Sequence, residues 1–211
     1  MIRMTKMPAR RAAATHAAGL PARPPRWRLR VAECALLLVL TLTGAESFAQ
    51  SPAPNVSLEY AVKATYLYKM APFVNWPPDT FTAADAPFQI CIVGRNPFHG
   101  FLKKAVEGRA LGSHRFAVRQ MEGSASGADC QVVFIGYTRP EEIRDALRPF
   151  DGKPVLTVTD SDAVDDSGSI VQFVMDSGHV RFEVDNTAAV RNHLTISSKL
   201  LDLALAVKGA G

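Results

Sequence analysis

The stretch Phe88 to Gly94, FQICIVG, constrains the fold more than any other part of this chain. It carries no charge, ends on a glycine, and reads as a buried strand with a cysteine at its centre. Cys130 opens a second run of the same kind, CQVVFIG, ending at Gly136, and Pro154 to Val158 (PVLTV) is a third. Strands this apolar need cover above and below. The intervening segments supply it. One helix is expected from Pro97 to about Glu107, opened by Asn96 and stopped by Gly108. Another runs from Pro140 to Leu147, with Glu141 and Glu142 in its first turn, where the helix dipole favours them.

Arg115 to Met121 alternates weakly and reads as a further strand. Ile170 to Met175 and His179 to Val184 are joined at Asp176-Ser177-Gly178, a hairpin signal. From Asn186 onward the pattern is helical, in two pieces split near Leu194 to Ser197. Leu200, Leu201, Leu203, Ala204 and Val207 form the apolar side of the last piece, and Gly209 suits its C-cap. The fold class expected is α/β: a three-layer domain with a mixed β-sheet flanked by helices.

The charge is unevenly placed. Residues 1–49 hold eight of the 24 Lys/Arg and two of the 20 Asp/Glu, leaving 16 basic and 18 acidic residues for 50–211. The apparent basicity belongs to the leader, so the remaining domain has no electrostatic reason to bind nucleic acid. That leader reads as a signal peptide over 1–49: a basic stretch to Arg30, an apolar core from Val31 to about Leu42, and small residues at Ser47 and Ala49. Cleavage is expected after Ala49, followed by a linker over 50–56 and a folded domain over 57–208. In an oxidising compartment Cys91 and Cys130 either pair or stay separately buried as free thiols.

The first helix of the domain is expected from about Ser57 to Ala71, with Pro72 kinking or ending it. Tyr60, Ala64, Leu67, Ala71 and Val74 form a core stripe, and Glu59, Lys63 and Lys69 mark the opposite face. That opposite face also carries Val62, Tyr66 and Met70, with Phe73 in line. A solvated face is not usually so apolar. Either a second layer of the same domain covers these four residues, or they dock another chain.

Motifs for catalysis are weak. The histidines His99, His114, His179 and His193 lack the spacing of ligands on one helix. Gly123-Ser124-Ala125-Ser126-Gly127 has the wrong spacing and context for a nucleophile elbow. The acidic run from Asp160 to Asp166 fails the calcium-loop pattern, because Val164 stands at its fifth place and Asp165 at its sixth. Gly94 and Gly136 at the strand ends could admit a ligand at the sheet edge near Arg95, or serve close packing. No cofactor and no metal is expected.

Taken in order, the blocks AVKATYLYKMAPFVNWP, ICIVGRNPF, DCQVVFIG, PVLTVTD, GSIVQFV and VRFEVDNTAAVRNHLTISSKLLDLA resemble the YfiR family of periplasmic proteins over nearly all of residues 59–205. The resemblance implies regulation, not catalysis. It points to a periplasmic protein that binds and restrains an inner-membrane diguanylate cyclase, and so cyclic di-GMP output and biofilm formation. An outer-membrane lipoprotein can sequester such a repressor. Other relatives occur beside sensor kinases or receptors, which leaves a small-ligand-binding module as the alternative. Family members are often dimeric. The resemblance also carries a disulfide role onto Cys91 and Cys130, structural or redox-sensitive. Three departures stand out: no cysteine follows Cys130 where some relatives have a second pair, Ser167-Gly168-Ser169-Ile170 replaces a Gly-Gly-Met-Ile type sequence, and Asp185 stands where Asn is usual.

Overall fold

The computed structural model describes residues 54–123, 129–160 and 167–209. The expected leader, most of the linker, the serine-containing loop and Asp162 to Asp166 lie outside them. The chain opens with α1 (Pro54–Lys69) and a 3-10 turn at Ala71–Phe73, then β1 (Val74–Asn75) and β2 (Phe88–Gly94). Next come α2 (Phe101–Val106), β3 (Ala110–Leu111), β4 (His114–Met121), β5 (Val132–Gly136), α3 (Pro140–Leu147) and β6 (Leu156–Thr159). The C-terminal part holds β7 (Val171–Asp176), β8 (His179–Asp185), α4 (Asn186–Arg191), β9 (Thr195–Ile196), α5 (Ser198–Leu201) and β10 (Ala206–Lys208).

Among the described residues, eight strands make one mixed sheet in the order β10-β8-β7-β6-β5-β2-β4-β3. The central pairs β4–β2, β2–β5, β5–β6 and β6–β7 are parallel, and β7–β8 is antiparallel. Strand alternation explains the layers. Ile90 and Ile92 of β2, Val132 and Phe134 of β5, and Leu156 and Val158 of β6 pack in one core with α1. Cys91, Val93, Val133 and Ile135 point to the other face, where Ile143, Ala146, Leu147 and Phe150 cover them. The three-layer α/β fold is as expected.

The hairpin forms at Asp176↔His179, with Ser177 at φ 49° and Gly178 at φ 79°. Positive φ at both central residues is the turn whose twist suits two adjoining strands. α1 starts three residues earlier than expected, because Pro54 fits a first helical position. It ends before Pro72, as expected. The helix expected from Pro97 is only α2: Asn96 accepts from the Phe98 N–H at 3.0 Å in a local turn, and Phe98 drops into the core.

The C-terminal expectation needs correction. The split near Leu194 is a strand, β9, paired antiparallel with β1, and Ser197 N–H donates to the Phe73 carbonyl at 2.8 Å. The last helical piece is only α5. Leu203 and Leu205 are exposed, and β10 adds to the sheet beside β8 in parallel. Parallel addition to an open edge satisfies more backbone groups than another short helix would. Gly209, at φ 69°, closes this strand against Thr187 rather than capping a helix.

Asn192 ties the C-terminal part to the rest. Its buried amide donates to the Phe150 and Val155 carbonyls at 3.1 and 3.2 Å, and its carbonyl accepts from Gly152 N–H at 3.0 Å. Asn192→Ala removes two hydrogen bonds to buried carbonyls and one to the exposed Gly152 N–H, so urea unfolding should show a loss of about 2 kcal/mol. A loss under about 0.5 kcal/mol would show that water replaces the amide.

Candidate functional site: the α1 face and the stapled strands

Cys91 lies opposite Val133 in the β2–β5 register, and Cys130 sits two residues before β5. The two are disulfide-bonded, with Cα atoms 5.9 Å apart across 39 residues of sequence. Closing a loop of this length stabilises by about 4 kcal/mol in the chain-entropy account. Arg119 stands beside Cys91 on β4, and its guanidinium donates to Cys130 Sγ at 3.3 Å and Cys91 Sγ at 3.8 Å. Met121 Sδ is 3.7 Å from Cys130 Sγ. The bond belongs to the core under α3, on the face of the sheet away from α1.

The four residues expected to dock a partner are spread through the first layer. Met70 is 1% exposed and part of the core. Tyr66 is half-buried across Phe173 and Phe182, with ring centroids 6.1 and 5.7 Å away. Phe73 is half-buried against the same core. A second layer of the same domain therefore takes Met70 and much of Tyr66 and Phe73. Val62 stays 36% exposed, and Leu58, one turn earlier on the same face, is 68% exposed. Among the described side chains, these two carry the exposed apolar surface of α1.

Lys63 overturns the simple two-faced reading of this helix. It was expected on the solvated side, yet it is 2% exposed and paired with Glu59 and with Asp160, just beyond β6. Its ammonium also lies over the Tyr60 ring, 4.9 Å from the centroid. A buried ammonium needs compensating partners, and two carboxylates and an aromatic face supply them. Tyr60 donates its hydroxyl to Asp160. Burial, with the Asp160 carboxylate beside it, holds that hydroxyl well above the usual tyrosine range. The ion cluster thus clamps the middle of α1 to the carboxyl edge of the sheet. Sequence spacing alone gave no signal for it, because Asp160 lies 97 residues away.

The glycines at the strand ends serve close packing. A Cβ on Gly136 would lie 1.8 Å from the Arg95 carbonyl oxygen, and one on Gly94 would meet the Tyr137 ring at 2.9 Å. That space is occupied by protein. The Ser167 and Ser169 hydroxyls join Thr159 in a buried network at 2.7 to 3.2 Å, so the departure from the family's pattern there is internally satisfied. Asp185 caps α4 by accepting from Ala188 N–H at 2.8 Å, a role open to Asn or Asp. His114 stacks on Phe81, with centroids 3.7 Å apart, and its Nδ1 is 2.6 Å from the Ala86 carbonyl oxygen. Among the described residues, no three His, Cys, Asp or Glu side chains converge as metal ligands.

These features define the class: a three-layer α/β domain, stapled beside its central parallel strands and clamped through its first helix. Within that class, residues 60–205 match the model of the YfiR/HmsC-like family, and the chain belongs to that family.

Lys63→Ala leaves Asp160 half of a buried pair and should lower stability by about 3 kcal/mol in denaturant unfolding. A change near zero would mean that the carboxylates are solvated. A second expectation concerns alkaline pH. Unfolded tyrosine ionises near pH ~10, whereas folded Tyr60 holds its proton higher. Its contribution to stability is complete below about pH 10 and is lost as pH rises through the folded value. Ultraviolet titration should show a late tyrosine phase that disappears in Tyr60→Phe; an unchanged titration curve would remove the assignment.

Proposed function

We propose that this chain is an exported regulator that binds and restrains the periplasmic part of an inner-membrane signalling protein, first of all a diguanylate cyclase. It acts by binding rather than by catalysis. Family membership supports the regulatory class. The observation that carries the docking reading is the apolar pair Leu58 and Val62, exposed one turn apart on a helix whose other side is locked into the core. Exposed apolar pairs on a clamped helix offer contact area with little ordering cost. Tyr66 forms the half-buried margin of this surface. On this reading the leader over 1–49 directs export and is cut after Ala49, and an outer-membrane lipoprotein or a second copy competes for the repressor.

The disulfide enters as a staple of the sheet. Its position under α3 means that reduction acts on the second core, and reaches α1 only through the sheet itself.

A pull-down of the mature protein from membranes, with and without reductant, tests both parts. Capture of a cyclase by the wild-type protein and its loss in Val62→Glu, with unfolding unchanged, is the expected result. Equal capture by Val62→Glu would sink the α1 docking surface. Capture only under oxidising conditions makes the disulfide a gate, whereas capture in both states leaves it a staple.

A further inference from the structure

We infer that the outer edge of β4 is a docking edge for an extended acidic segment of another protein, added as a further strand. The inference stands apart from the α1 surface. β3 covers only the start of β4, through Ala110↔Arg115 and Leu111↔His114. Phe116 N–H donates outward to the Arg109 carbonyl at 3.1 Å. Backbone direction alternates along a strand, so Val118 and Gln120 turn their N–H and C=O groups to the same outer edge. Among the described residues no strand pairs with that edge beyond Arg115.

The edge opens into a groove of about 610 Å³ between β4 and α2, floored by Phe116, Ala117 and Val118. Lys103 and Lys104 stand exposed along its wall with Glu107, two cations to one anion. Phe116 and Val118 are only partly buried, so an added strand would complete their cover. This combination of open backbone groups and half-covered apolar side chains is what strand addition uses.

Charge decides the occupant. Between residues 100 and 123 five Lys/Arg stand against Glu107 and Glu122 alone, although residues 50–211 as a whole carry 16 basic and 18 acidic residues. A second copy laid on this edge would bring the exposed Arg115, Lys103 and Lys104 against their own kind, which disfavours self-pairing. An acidic strand meets the lysines of α2 on one side and Arg115 on the other.

The test uses the mature protein and a capped eight-residue peptide alternating Glu and Val, with its Lys and Val counterpart as control. The acidic peptide should bind, weaken with added salt, and slow amide exchange at Val118 and Gln120. Lys103→Glu combined with Lys104→Glu, both on the exposed side of α2, should weaken binding roughly tenfold. Val118→Pro removes an outward donor at a position where an edge strand tolerates proline, and should abolish binding. Should Val118→Pro fail to fold, the double lysine variant decides. The inference is overturned by equal binding of the basic peptide, by unchanged exchange at Val118 and Gln120, by wild-type affinity in the double lysine variant, or by a dimer cross-linked through β4.

Discussion

β2 is buried on both faces, and the arrangement of the domain follows from that. Its even-numbered residues Ile90 and Ile92 need the layer that α1 supplies, and its odd-numbered residues Cys91 and Val93 need the layer under α3. A strand with no solvated face must sit inside the sheet, between β4 and β5. Parallel neighbours then require crossover connections, which is why helices alternate with strands through the first half of the chain. The crossovers bring their loops to the carboxyl edge so closely that Gly136 has no room for a Cβ beside the Arg95 carbonyl. A site that looked open to a ligand is instead filled by the chain itself.

The same two-sided burial separates the contents of the two layers. The disulfide and the exposed side of α1 occupy opposite faces, so the two are not in direct contact. α1 is held by different means. Its core stripe packs on the sheet, its C-terminal end is tied through β1 to β9, and Lys63 joins its middle to Asp160. Val62 therefore lies beside the clamped residue, and Leu58 lies one turn before it. Buried ion pairs of this type contribute less net stability than geometry, since desolvation offsets most of the attraction. The gain is a defined position for the helix that carries the exposed apolar pair.

The architecture was legible in the sequence where local pattern and tertiary need coincide. FQICIVG, CQVVFIG and PVLTV read as buried strands because nothing but a sheet interior accommodates such runs, and the Asp176-Ser177-Gly178 turn joined β7 to β8 for reasons of backbone twist. Pro72 ended α1 because proline cannot continue the hydrogen-bond ladder. Local signal failed where the partner is remote in sequence. Leu200 to Val207 has an apolar pattern compatible with a helix, yet β8 offered an unpaired edge and drew Ala206–Lys208 into a strand.

The amino-acid sequence by itself determined the three layers, the strands buried on both faces and the family, because these depend on hydrophobic runs and blocks of residues in order. Only the tertiary structure decided which polar groups are structural. Lys63 looks solvated until Asp160 arrives beside it, and Asn192 looks ordinary until three backbone groups converge on its amide. Cys91 and Cys130 could have been two buried thiols until the β2–β5 register set their Cα atoms 5.9 Å apart. The physical reason is common to all three. A polar or sulfur side chain declares its role through its partners, and those partners are fixed by chain folding rather than by spacing along the chain.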